Sequence, residues 1–168
     1  MNTFLRPMAL LSLLLSGGIF GFFYAWICST MWGLDAIDPR IAIAAMNGMN
    51  DSVRNAVFAP AFFGTPIALF LTAWLASKAE AKSAARTFLI AALIYLFGGI
   101  ILTASINVPM NRALLDVVIP EDIDAAQRIW NDYSPRWQRF NALRTLFSGL
   151  ALLLTGYGLT VLHTRKAD

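Results

Sequence analysis

Four long apolar runs without a charge constrain this chain more than any other feature. They cover about 8–31, 56–76, 87–106 and 146–162. A helix rises 1.5 Å per residue, so about 20 residues cross a hydrocarbon core of ~30 Å. The first three runs reach that length as they stand. The fourth reaches it only by taking in 140–145, which brings Asn141 and Arg144 into its first turns. The expected architecture is all-α: a four-helix transmembrane bundle in one domain over 1–168, with spans at about 8–31, 56–77, 86–107 and 140–162. A transmembrane β-barrel would need many short alternating segments, and none is present. Composition agrees, with 58% hydrophobic and 14% charged residues, against about 25% charged in soluble domains.

The first run could be read as a signal peptide, with Arg6 as its basic flank. It is longer than the usual apolar region of about 7–15 residues, and no A-x-A-like cleavage site follows. It is expected to be a retained helix. Cys28 is the only cysteine and is expected to be a small buried apolar side chain. Gly17 and Gly21 form a GxxxG that is expected to pack helices within the monomer; an oligomer is not indicated. The sequence pI of 9.4 does not point to nucleic acid, because the basic residues sit at helix ends rather than along a stripe.

Lys and Arg in short loops mark the cytoplasmic side. Arg6, Lys78, Lys82, Arg86, Arg165 and Lys166 lie in three short segments, whereas the two longer loops carry eight of the ten acids. Both termini are therefore expected in the cytoplasm, in a multi-pass protein of the cell (inner) membrane. The lipid bilayer is its first partner. In the first long loop, Asp38-Pro39 reads as an N-cap with Pro at the first helical position, opening a helix to about residue 55. Ala42, Met46, Met49 and Val53 form its apolar stripe. In the second, Pro120 with Glu121, Asp122 and Asp124 suits a helix start, reaching to about Tyr133. Ser134-Pro135 then reads as a second cap, opening a helix that continues into the fourth span. Pro66 is expected to kink the second span.

The residues suited to chemistry gather at the outer ends of spans three and four. Thr103, Asn107 and Asn111 recur every four residues, and Pro109 frees a carbonyl one turn earlier. Trp137, Asn141, Arg144 and Ser148 share one helical face. Carboxamides and a guanidinium at the membrane edge are costly unless paired, about 2.5 kcal/mol or more for the cation. Asn107, Asn111, Asn141 and Arg144 are therefore expected to converge, with Trp137 and Tyr133 beside them and Asn50 closing the cluster from the first loop. A buried guanidinium suits an anionic oxygen or carboxylate. Trp130 and its aromatic neighbours also suit an interfacial belt. His163 is the sole histidine and no cysteine pair exists, which argues against a His-ligated metal, a bis-His haem or disulfide chemistry.

Taken together, Asn107-Val-Pro-Met-Asn111 and Trp130-x-x-Tyr133-x-x-x-Trp137-x-x-x-Asn141-x-x-Arg144 resemble the DUF1772 (anthrone oxygenase-like) membrane family. Upstream, Gly21-Phe22-Phe23, Met31-x-Gly33-Leu34 and Met46-x-x-Met49-Asn50 are similar to its N-terminal half, so the likeness runs from about Gly17 to Gly158. Phe140 departs from the pattern, where a tryptophan is expected. The resemblance implies an oxidoreductase acting on a lipophilic aromatic or quinone-like molecule without a metal or organic cofactor. Arg144, Asn141, Asn107 and Tyr133 would then be catalytic, with Trp137, Trp130, Asn111, Asn50 and Thr103 binding the ligand. Tyr133 or Asp132 would have to act as the base. The alternative is a non-enzymatic membrane protein that binds a lipid or a partner through the same cluster.

Overall fold

The computed structural model describes residues 3–164, so the expected topological anchors Arg165 and Lys166 lie outside the described residues. It contains five helices: α1 (Leu5–Asp35), α2 (Pro39–Ser52), α3 (Phe58–Lys78), α4 (Lys82–Leu115) and α5 (Ile123–Thr164). No strand occurs among the described residues. Four helices, α1, α3, α4 and α5, are long and apolar enough to cross a membrane. They form a square in which α1 and α4 each pack against both α3 and α5. The fold is thus the all-helical transmembrane bundle expected from the apolar runs.

Membrane helices gain little from apolar burial against lipid, so close packing and hydrogen bonds between helices carry the association. Phe147 occupies the space a side chain would need at Gly98, Phe88 does so at Gly158, and the Tyr95 ring lies over Gly99. Ser12 and Thr72 join α1 to α3 through a buried hydrogen bond of 2.9 Å, a contact worth about 0.6–1.7 kcal/mol in a bilayer. Pro66 has no N–H, so it leaves the carbonyl of Phe62 without its usual helical donor. The Tyr95 hydroxyl supplies one from α4, at 3.0 Å. The expected GxxxG is not a packing seam here: Gly21 has nothing within 4 Å of its would-be Cβ, and Gly17 has only Leu152 at 3.9 Å. Close approach occurs on α4 and α5 instead.

The end of the bundle that carries the two long connections has a second core. There α2 lies on the other helices and buries Ala42, Ile43 and Met46 against Trp26, Met31, Leu34, Leu114, Trp130 and Trp137. Full burial of a side chain the size of Met or Ile is worth about 1.5–3 kcal/mol. The helix starts as its sequence implies: Asp38 accepts from the Arg40 backbone N–H at 2.9 Å, with Pro39 in the first turn. Asn55 then caps α3, its Oδ1 accepting from the N–H groups of Val57 and Phe58. At the opposite end the tight α3–α4 connection comprises only 79–81.

Three features differ from expectation. The helix expected to stop near Tyr133 and restart at Ser134-Pro135 is one continuous α5 of 42 residues, with Pro135 in its interior. Ala126, Trp130, Tyr133, Trp137, Asn141, Arg144, Ser148, Ala151 and Thr155 are all buried. Each lies three or four residues from the next, so one buried stripe crosses the proline and outweighs the missing hydrogen bond. Ser134 donates to Asp35 at 2.6 Å instead of capping. Cys28 is exposed on the outer side of α1 rather than buried. Trp130 is 3% exposed, with its indole N–H on Asp35 at 2.9 Å, so it locks α1 to α5 rather than joining an interfacial belt.

Candidate functional site

Two of the spans beside the site, α1 and α4, are locally over-wide. Trp26–Thr30 in α1, and Leu96–Ile101 and Thr103–Asn107 in α4, are π-helical turns. Such turns arise where one extra residue is accommodated in a helix, and they are frequent at functional sites. In α4 the Val108 N–H reaches back to the Thr103 carbonyl, one residue further than in an α-helix. The turn immediately precedes Pro109, which cannot donate. The proline signal is therefore expressed as a changed helical register.

Beside these turns lies a cavity of about 500 Å³, within the ~300–1,000 Å³ typical of small-molecule sites. Its apolar wall is aromatic, with Phe22, Phe23, Trp26, Phe58, Phe62 and Phe63 from α1 and α3. Its polar wall holds Arg144, Trp137, Thr103, Asn111 and Asn50, and Arg54 stands at its exposed rim. No Asp, Glu or His is among its lining residues.

Two hydrogen-bonded groups build the polar wall. In the first, Asn111 Oδ1 accepts from the Tyr133 hydroxyl at 2.8 Å and from Trp137 Nε1 at 2.9 Å. Because the indole can only donate, this fixes the amide orientation, and Asn111 Nδ2 donates to Asn50 Oδ1 at 2.8 Å. Four residues from α2, α4 and α5 are thereby tied together. In the second, Asn141 Nδ2 donates to the Phe23 carbonyl at 3.0 Å, while its Oδ1 accepts from Arg144 Nη2 at 2.9 Å. Arg144 Nη1 reaches Thr103 Oγ1 at a long 3.4 Å.

Arg144 is the unusual group. Its side chain is 6% exposed, and its Nε has no hydrogen-bond partner. The sole ion pair among the described residues is that of Arg40 with Asp38, so no carboxylate balances the buried guanidinium. Two rings hold it instead, with its central carbon 4.7 Å from the Phe23 centroid and 5.1 Å from that of Trp137. Desolvated cation–π contacts are worth about 2 kcal/mol, well short of the several kcal/mol by which burial disfavours a lone charge.

Of the residues expected from sequence, Arg144, Trp137, Asn111, Asn50 and Thr103 line the cavity. Asn141 and Tyr133 stand behind it, bonded to groups that do. Trp130 does not reach it. Asn107 is buried at 1% exposure, yet it neither lines the cavity nor finds a partner for either amide atom. The expected convergence thus divides into two groups. Arg144 bonds Asn141 and Thr103 rather than Asn107 or Asn111, because the π-turn shifts the register between them. Neither expected base faces the cavity, and Asp132 is exposed on another side of α5. What sequence reasoning missed is the aromatic wall, including Trp26, whose ring packs on Trp137 at 4.9 Å. Its signal was the recurrence of aromatics at the facing ends of α1 and α3.

Comparison with known proteins gives one match. A family model described as anthrone oxygenase matches residues 52–154, more than half of the chain. No curated protein and no solved structure matches. The matched segment includes Asn111, Trp137, Asn141 and Arg144, whereas the N-terminal motifs around Gly21, Met31 and Met46 lie outside it.

Proposed function

Because the chain belongs to the anthrone oxygenase family, we propose that it is a membrane oxidoreductase that binds a planar, lipophilic aromatic molecule and oxidises it with dioxygen. The observation that carries this reading is Arg144, a buried cation without a counter-charge on the wall of an aromatic cavity. A methylene flanked by aromatic rings and conjugated to a carbonyl loses a proton to give an anion whose charge rests on oxygen. Arg144 would receive that oxygen, with Thr103 beside it and Asn141 holding the guanidinium in place. Fixed donors aimed at developing charge are the largest single source of catalysis in many enzymes. The carbanion and dioxygen give a hydroperoxide, which expels water, so that CH2 and O2 become C=O and H2O. Phe23 and Trp137 would bracket the rings. The proton passes to water at the rim, since no carboxylate or imidazole lines the cavity.

In this reading the cavity faces the outer side of the membrane. The short connection with Lys78 and Lys82 lies at the opposite end of the bundle, which suits a cytoplasmic location and termini on the same side. The lack of a titratable base in the cavity wall favours a second reading, a binding protein without turnover.

The test uses purified protein in lipid nanodiscs supplied with an anthrone in air, with quinone formation followed by visible absorbance. Acceleration over protein-free nanodiscs is expected. Arg144→Lys should reduce the rate about a hundredfold or more, with an unchanged unfolding midpoint, because lysine keeps the charge but not the planar fork. Binding without acceleration would favour the second reading. Absence of binding would remove both.

A further inference from the structure

Every charged group at the cavity is positive, and the two arginines stand at opposite ends. Arg144 lies deep, seven residues below Trp137 on α5, and Arg54 lies at the rim, one helical turn beyond Asn50. Between them the wall spans Thr103 to Asn111 on α4, eight residues or about 12 Å of helix. The two cations are differently placed. Arg144 is 6% exposed with an unpartnered Nε, whereas Arg54 is exposed and has no ion pair among the described residues. The start of α3 adds to the same sign. Phe58 and Ala59 of its first turn line the cavity, and a helix N-terminus carries partial positive charge. No acid answers any of these within the lining.

We infer that the ligand is an amphipathic aromatic acid, held with an enolic or phenolic oxygen at Arg144 and a carboxylate at Arg54. This rests on the proposed aromatic-binding site and specifies which aromatic molecules it selects. The aromatic wall of the cavity that both arginines line fits a fused ring system. A neutral anthrone would satisfy the deep end alone. The acid group sets orientation: it stays at the aqueous rim while the reacting end enters first.

The experiment is calorimetric titration of the full chain in nanodiscs, with empty nanodiscs as the partition blank. The probes are 6-hydroxy-2-naphthoate, with its two oxygen functions at opposite ends, and 2-naphthol, which lacks the carboxylate. Arg54→Gln should weaken the naphthoate by about threefold to fivefold, the upper range for an exposed ion pair, and leave 2-naphthol unchanged. That loss should shrink when the salt is raised from 0.05 to about 1 M, because exposed pairs are screened. Arg144→Lys should weaken both probes at either salt. Equal binding of the naphthoate by wild type and Arg54→Gln overturns the inference and leaves the deep site standing. Insensitivity of both probes to Arg144→Lys overturns the underlying site as well.

Discussion

Gly98 sits on α4 where the Phe147 side chain of α5 already fills the space beside it. A methyl group there would collide with the part of Phe147 nearest its own backbone, which cannot swing aside. Overpacking of this kind costs about 1–3 kcal/mol, so Gly98→Ala should lower the thermal midpoint in detergent. Gly18 has nothing within 4 Å of its would-be Cβ, and Gly18→Ala should stay within about 0.5 kcal/mol of wild type. A larger loss at Gly18 than at Gly98 would contradict the packing. At this scale the sequence was informative about cost and about partners on the same helix, but not about partners on other helices. Arg144 stands out from sequence because a cation inside an apolar run is expensive. That Asn141 and Trp137 stand beside it follows from their spacing along α5, whereas the Phe23 ring on α1 and the separation from Asn107 do not follow from any spacing.

Among the elements, α3 and α4 are coupled by a bond that exists because of a proline. The Tyr95 hydroxyl satisfies the Phe62 carbonyl left open by Pro66. Tyr95→Phe should cost about 1–3 kcal/mol, the penalty for a buried unsatisfied acceptor. In a Pro66→Ala background the restored N–H serves the same carbonyl, and the cost of losing the hydroxyl should fall by at least about half. Additive losses in a double-mutant cycle would show the two to be unconnected. For α2, hydrogen bonds from the Arg40 side chain, then from its backbone N–H, hold the Asp38 carboxyl below the usual carboxylate range. The stability this lends is fully present above the unfolded value of about 3.9 and is lost as pH falls through the lower folded value. Protection of the amides at the start of α2, taken relative to their intrinsic exchange rates, should be unaffected by this group from neutral pH down to about 4 and should fall below that. The cap was legible because Asp-Pro has a local meaning. The continuity of α5 was legible only to a reading that followed the buried stripe past Ser134-Pro135, since local signals there favour a break and tertiary packing overrules them.

For the whole molecule, the alternation of long and short connections and the lengths of the apolar runs carried the architecture. The aromatic cavity escaped because it is formed where α1 and α3 meet, a proximity that no single run encodes. Orientation is testable with single cysteines at Ser83 and Asp122. Cys28 must first be replaced by Ala, because it is exposed and would react itself. On intact cells an impermeant thiol reagent should label the Asp122 position and spare Ser83; the reverse pattern would invert the topology. The length of α5 bears on how the cavity is supplied. Its 42 residues span ~63 Å, about twice the hydrocarbon thickness. One end of α5 therefore extends beyond the hydrocarbon. Under the proposed function, a cavity toward that end would draw its ligand from a two-dimensional reservoir. Occupancy then follows moles of ligand per mole of lipid, so adding empty vesicles dilutes the ligand even when its amount per litre is unchanged.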